Sequence, residues 1–243
     1  MGASFGAALW AESDVRLTGP VTLTGDTTIG AAAGATLELA AVGGTGVLTV
    51  VGGGVVRLAG DASSLGGLVV KGGRIEFAPG ARVADGAITA CPGASVFLPD
   101  GYVLDLGGQT LQVASVGGSG IVRNGTLVIT GEIQPGGVQA VGTLTFERAP
   151  VVAGATLVVD GDGRGGFDRL VVEEAFDVTG MRIRLSRRAG FAPGTHRVVS
   201  CRSLAGQDAL VPDLPRHFAV GVPASCDGID LVREQLGTLL LIR

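Results

Sequence analysis

"GGLVVKGGRIEF", residues 66–77, holds two short apolar stretches separated by a second pair of glycines. Leu68 and Val70, then Ile75 and Phe77, stand two residues apart. That spacing turns one face of a strand inward and the other to solvent. Paired glycines between strands this short make a sharp corner, not the Asn-Gly or Asp-Gly dipeptide of a hairpin. A β-sandwich needs strands long enough to cross a sheet, joined by hairpin turns. Short strands meeting at corners suit a parallel β-helix, in which each coil climbs one strand spacing of about 4.8 Å.

The same alternation runs outward in both directions. It recurs at Leu37 and Leu39, Leu48 and Val50, Val56 and Leu58, Val96 and Leu98, Leu104 and Leu106, Leu111 and Val113, Leu127 and Ile129, and Leu144 and Phe146. Helical periodicity is almost absent. A short motif of Thr, Leu, any residue and an apolar residue appears as "TLEL" (36–39), "TLQV" (110–113), "TLVI" (126–129), "TLTF" (143–146), "TLVV" (156–159) and "TLLL" (238–241). Self-similarity at short period signals a solenoid, whose coils bury their apolar faces only by stacking. At about 20 residues per coil, roughly 10 coils would make a rod on the order of 50 Å long.

Open solenoid ends expose core and unpaired strand edges, so caps are expected. Residues 1–14 read as an N-terminal cap or the remnant of a signal segment, and residues 15–189 as the repeats. Residues 190–243 carry Pro193, Pro212, Pro215, Pro223, both histidines and "VREQ", and read as less regular capping strands.

Composition agrees with an all-β chain. Of 243 residues, 46% are hydrophobic and 43 are Gly, which without a G-X-Y period excludes collagen and, with so much Val, Leu and Ile, disorder. Net charge is −4, and scattered basic residues give no stripe for nucleic acid. Arg182, Arg184, Arg187 and Arg188 come nearest and read as a solvated outer face. Cys91, Cys201 and Cys226 match no zinc or redox spacing. Cys201 and Cys226 end two apolar stretches and are a candidate disulfide in an oxidising compartment, leaving Cys91 as a buried free thiol. No apolar run approaches the roughly 20 residues of a membrane helix. "MGASFGAALWAES" (1–13) lacks the basic and apolar regions of a signal peptide.

Residues 24–77, "TGDTTIGAAAGATLELAAVGGTGVLTVVGGGVVRLAGDASSLGGLVVKGGRIEF", resemble the autotransporter-associated β-strand repeat of bacterial surface and secreted passenger proteins. Gly44 to Thr49 looks like its "GxGxLT" strand, Gly52 to Gly60 like "GxGxxxLxG", and Gly66 to Phe77 like its closing glycine-paired strands. Between them Asp61 to Ser64 stands as the polar corner, but "DASSL" replaces the family's frequent aromatic there. "GEIQPGGVQAVGTLTF" (131–146) and "GGFDRLVVEEAFDVTGMRIRL" (165–185) are similar to the non-repeat end of such passengers. The resemblance implies a right-handed parallel β-helix, secretion or surface exposure, and a stalk or spacer role without catalysis. These residues hold no counterpart of the autotransporter membrane barrel, which leaves the export route open.

The one acidic cluster at metal-ligand spacing is "DGDGRGGFDRLVV" (160–172). Asp160 and Asp162 fit positions 1 and 3 of a helix–loop–helix calcium loop. However, Arg164 takes position 5, and Val171 stands where a bidentate Glu is required. Gly163, Gly166, Asp168 and Leu170 match the nonapeptide calcium repeat, which works only in successive copies. Asp160, Asp162 and Asp168 are therefore a weak calcium candidate, and no other cofactor is indicated. The competing reading is a corner in which Asp168 bonds the turn's own backbone while Leu170 and Val172 pack inward.

Nucleophilic catalysis lacks a setting: "VPASCDG" (222–228) is not a nucleophile elbow, and His196 and His217 have no Ser or Cys motif around them. Carboxylates for glycan chemistry would be Glu76, Asp85, Asp100, Asp105, Glu132 and Glu147, each at an outward strand position or a turn. Sugar faces usually offer aromatic platforms, and Trp10 and Tyr102 stand alone. The expected function is a non-catalytic structural segment of a secreted or cell-surface protein: stalk, spacer or adhesin-like scaffold. Its expected partners are other surface or extracellular components, glycans among them. The alternative is a glycan-binding or polysaccharide-degrading β-helix. A polymer-forming cytoskeletal β-helix would need uncapped ends, against which the proline-rich C-terminus speaks.

Overall fold

Buried apolar residues stacked in register organise the computed structural model, which describes residues 6–90, 92–137, 140–152, 154–186 and 192–233. Cys91, Arg187, Arg188 and the "TLLL" copy at 238–241 lie outside the described residues. The protein is all-β, built on long parallel sheets. The longest has ten strands whose spatial order is their chain order, from Val15–Leu23 through Thr36–Gly44, Val55–Leu58, Arg74–Phe77 and Ser95–Leu98 to Val211–Asp213. Along it Leu37 lies opposite Val56, Val56 opposite Ile75, Ile75 opposite Val96, Val96 opposite Val116, Val116 opposite Ile133 and Ile133 opposite Leu157. Each of these side chains is at most 2% exposed.

Between successive strands of that sheet the chain visits another. Early excursions build a five-stranded parallel sheet that includes Thr27–Ala31, Val47–Gly52 and Gly67–Val70. Later ones build a seven-stranded sheet that starts at Val103–Asp105 and Ile121–Arg123. Parallel sheets are commonly covered on both faces, but strands here bury only alternate residues, as at Arg74–Phe77 and Ser95–Leu98. The buried residues of all three sheets form one cluster. The ten-stranded sheet therefore shares its inner face first with the five-stranded sheet and then with the seven-stranded one, and the outer faces are left to water.

In the five described copies of the Thr-Leu motif the leucine is core: Leu37, Leu111, Leu127, Leu144 and Leu157. The copies do not share one sheet. Thr110 pairs with Thr126 in a two-stranded sheet, Thr143 starts a strand of the seven-stranded sheet, and Thr36 and Thr156 belong to the ten-stranded one. The motif marks where a strand begins, and its spacing is not the spacing of the stack.

The ends differ from the middle. Leu9–Ala11 pairs in parallel with Thr27–Ala31, so part of the 1–14 segment is already sheet. Parallel pairing continues past residue 189, into Gly194–Ala205 and Val211–Asp213. It then gives way to antiparallel pairing of Gly228–Arg233 with Gly194–Ala205 and with Phe218–Gly221. No helix among the described residues is long and apolar enough to cross a membrane.

Corners require glycine where the backbone turns left-handed against the strand before it. Gly118 has φ +101°, and a Cβ there would stand 1.8 Å from the Leu98 carbonyl oxygen, whereas Gly101, φ +71°, faces open space. Gly101→Ala is expected to cost about 1–3 kcal/mol of backbone strain. Gly118→Ala is expected to cost clearly more, because the rigid Leu98 carbonyl must move. Urea unfolding of the two variants reads the difference.

Candidate functional site

The acidic stretch forms a small hairpin that ends in the seven-stranded sheet. Gly161 and Phe167 make an antiparallel bridge, the Asp162 amide donates to the Gly166 carbonyl at 3.0 Å, and the Asp168 amide donates to Asp160 at 2.9 Å. At the tip, Asp162 Oδ1 accepts the amides of Arg164 (2.7 Å) and Gly166 (2.9 Å), the turn chemistry to which Asp is suited. These bonds, the Arg164 amide first, hold the Asp162 carboxyl below the usual carboxylate range.

Asp168 does something else. It is 1% exposed; one carboxyl oxygen accepts the Asp160 amide at 2.8 Å and the other the Gly142 amide at 2.9 Å. Its side chain thus ties the base of the hairpin to the preceding strand of the sheet, which begins at Thr143. Burial pushes its pKa up to about 7, with the Asp160 charge adding to the rise and the two amides opposing it. Asp160 is also buried, and Leu170 and Val172 pack into the core as the corner reading expects. Asp162 is exposed at the tip while Asp168 is locked at the base. The described residues hold no group of three or more side chains placed to share a metal ion.

The other candidates scatter. His196 is buried, with Nε2 2.7 Å from the Ala192 carbonyl oxygen and its ring edge-on to Phe167 at 5.0 Å. His217 is exposed. Cys201 and Cys226 are free thiols. Cys201 tops an inward column, Leu104 over Val122, Phe146 and Val172, and burial pushes its thiol pKa up. Cys226 sits in a turn with φ +50°, its amide bonded to Pro223. Ser225 Oγ donates to Asp227, which with Asp230 holds Arg197.

Asp105 accepts from the Gly107 amide (2.8 Å), Arg123 Nε (2.8 Å) and Asn124 Nδ2 (3.0 Å). The Gly107 amide is the main reason its carboxyl lies below the usual range. Asp85 and Asp100 are exposed, and Glu147 is half-buried. Tyr102 is no platform: it is buried and stacks on Phe77 at 4.5 Å. Trp10 lies against Gly30 and Gly52, where a Cβ would stand within 3 Å of its ring, and donates to Glu12 at 2.9 Å.

The outer face of the ten-stranded sheet carries the remaining polar chemistry. Arg16, Glu38, Arg57 and Glu76 lie opposite one another in turn. Arg16 reaches Glu38 at 3.0 Å, and Arg74 reaches Glu76 at 3.0 Å. The column continues through Phe97, Gly117 and Gln134, and farther along Arg184 pairs with Glu132 at 2.7 Å. Arg74 lies over the Phe97 ring, 4.5 Å from its centroid. Phe97, with Arg74, Ser95, Ser115, Gly117 and Gln134, lines a groove of about 230 Å³. Sequence reasoning placed Val96 and Leu98 inward, hence Phe97 outward, but gave no sign that a glycine one strand on would open space beside it. No family model and no curated protein sequence matches the chain.

Asp168 yields a pH test. Its folded-state pKa, about 7, lies above that of an unfolded aspartate. Between about pH 4 and 7 the unfolded chain releases the proton while the folded chain retains it, so this group's contribution to stability falls as pH rises and levels off above 7. Asp168→Asn is expected to flatten that slope. Asp168→Ala is expected to cost about 1–3 kcal/mol for each amide left unpaired. Urea midpoints at pH 4.5 and 7.5 measure both.

Proposed function

We propose that the chain winds as a right-handed parallel β-helix of the autotransporter-associated type. It serves as a non-catalytic structural segment of a secreted or cell-surface bacterial protein, a stalk, spacer or adhesin-like scaffold. The observation that carries this reading is the unbroken in-register column of apolar side chains in the ten-stranded sheet. A sheet built by stacking one short strand on the last makes length, which is what a spacer supplies. The carboxylates support it too. Asp105, Asp162 and Asp168 bond turn backbone, and Glu76 and Glu132 pair with arginines of their own face. Such groups are committed to holding the chain together.

A second reading, glycan binding, is favoured by one observation, the polar groove beside Phe97.

Two measurements test the scaffold. Val56 stands one step of 19 residues before Ile75, so deleting residues 56–74 removes one whole step. The shortened chain is expected to fold with an unchanged circular-dichroism spectrum and to be shorter by about 4.8 Å in small-angle scattering. Failure to fold cooperatively overturns the stacked reading. Antibody labelling of intact producing cells, or recovery from the medium, is expected to find the chain outside; confinement to the cytoplasm overturns the surface role.

A further inference from the structure

The groove over Gly117 has a defined construction. Two outward rows of the ten-stranded sheet run side by side there. In one, Arg74 lies opposite Ser95 and Ser95 opposite Ser115; in the other, Glu76 lies opposite Phe97, Phe97 opposite Gly117 and Gly117 opposite Gln134. Gly117 contributes no side chain and is itself buried: the Phe97 ring leans past it to Gly137, where a Cβ would stand 2.6 Å from Phe97 Cε2, and the groove opens between that ring, the two serines and Gln134. A Cβ at Gly117 would stand 3.2 Å from the Gln134 carbonyl oxygen and 3.5 Å from Phe97 Cδ2. Even a methyl group there would press on the Gln134 carbonyl, and any larger side chain would push the Phe97 ring toward the groove.

We propose that this groove is a binding subsite for one ring of a neutral, hydroxyl-rich saccharide. Its lining groups include the Ser95 and Ser115 hydroxyls and the Gln134 amide; Ser115 Oγ accepts the Glu132 amide at 3.2 Å and Gln134 Nε2 donates to Glu132, which leaves the Ser115 hydroxyl hydrogen and the Gln134 carbonyl oxygen, beside Ser95, to meet sugar hydroxyls. Charge at both ends is already matched: Arg74 pairs with Glu76, and Glu132 with Arg184. The site therefore has no unbalanced cation to draw a phosphate or sulfate. One face of Phe97 lies under Arg74 and its Cδ2–Cε2 edge lies against Gly117 and Gly137, so the remainder of the ring forms the apolar wall for sugar C–H groups. At about 230 Å³ the space is smaller than the roughly 300–1,000 Å³ of a drug-sized pocket and suits a single ring. The inference rests on and deepens the glycan-binding reading of that groove, and is independent of the scaffold reading, of handedness and of export.

The test titrates the purified chain with cellohexaose, maltohexaose and chitohexaose, followed by amide NMR shifts. Saturable shifts at Ser115, Gly117 and Gln134 with at least one hexasaccharide are expected. Ser95→Ala and Gln134→Ala each weaken that binding about three- to tenfold, the effect of one lost hydrogen bond. Gly117→Leu pushes the Phe97 ring into the groove and abolishes binding; the two alanine variants keep the test decisive where Gly117→Leu unfolds the chain. No saturable shift at these residues with any of the three probes overturns the proposal. So does undiminished binding by both alanine variants, or a response to heparin or inorganic phosphate in place of the neutral sugars.

Discussion

The structure depends on one constraint: an inward apolar residue must sit on the inward apolar residue of the strand before it. A slip of one residue would turn a strand's whole apolar set to solvent, so each strand fixes the register of the next. Leu37, Val56, Ile75, Val96 and Val116 satisfy that condition in sequence. Because only one face of each sheet is apolar, no sheet is stable alone, and the core exists where the ten-stranded sheet faces the five-stranded one early in the chain and the seven-stranded one later. The outer faces are then free to carry charge, and cross-strand pairs such as Arg16 with Glu38 add a modest amount at such exposure.

Short strands leave many backbone groups at corners without ladder partners, and buried ones must be bonded. Aspartate does this work repeatedly. Asp105 accepts the Gly107 amide of its own turn, Asp162 gathers the Arg164 and Gly166 amides of its own, and Asp168 spans two strands from a buried position. What resembles a metal-ligand pattern is therefore a pattern of amide acceptors. The two are hard to separate in sequence because both require short-armed oxygens among glycines.

Alternation made the inward set legible almost residue by residue, and it placed Leu170 and Val172 correctly. It also supported the corner reading of Asp168, although the bond to Gly142 was out of reach, because it depends on a strand 26 residues away. The Phe97 groove was hidden for the same reason. Which residues stand side by side across strands follows from corner lengths, and those vary, as the steps from Val96 to Val116 and from Ile133 to Leu157 show. Tyr102 stands two residues before Leu104, in phase with the inward set, so its burial followed the alternation, but its stacking on Phe77 joins ring to ring across strands and no local pattern marked it. The antiparallel closure at Gly228–Arg233 depends on a return of the chain that no short motif announces.

The last strand of the ten-stranded sheet is Val211–Asp213. Val211 donates its amide to Met181, inside the sheet, so the bonding groups of its neighbour Pro212 face the other way, and Pro212 has no N–H to offer. Another chain's strand arriving at that edge would find its acceptors unmet. Among the described residues that edge thus accepts at the Pro212 carbonyl but donates nothing there, which leaves one ladder bond fewer for any strand that would extend the sheet.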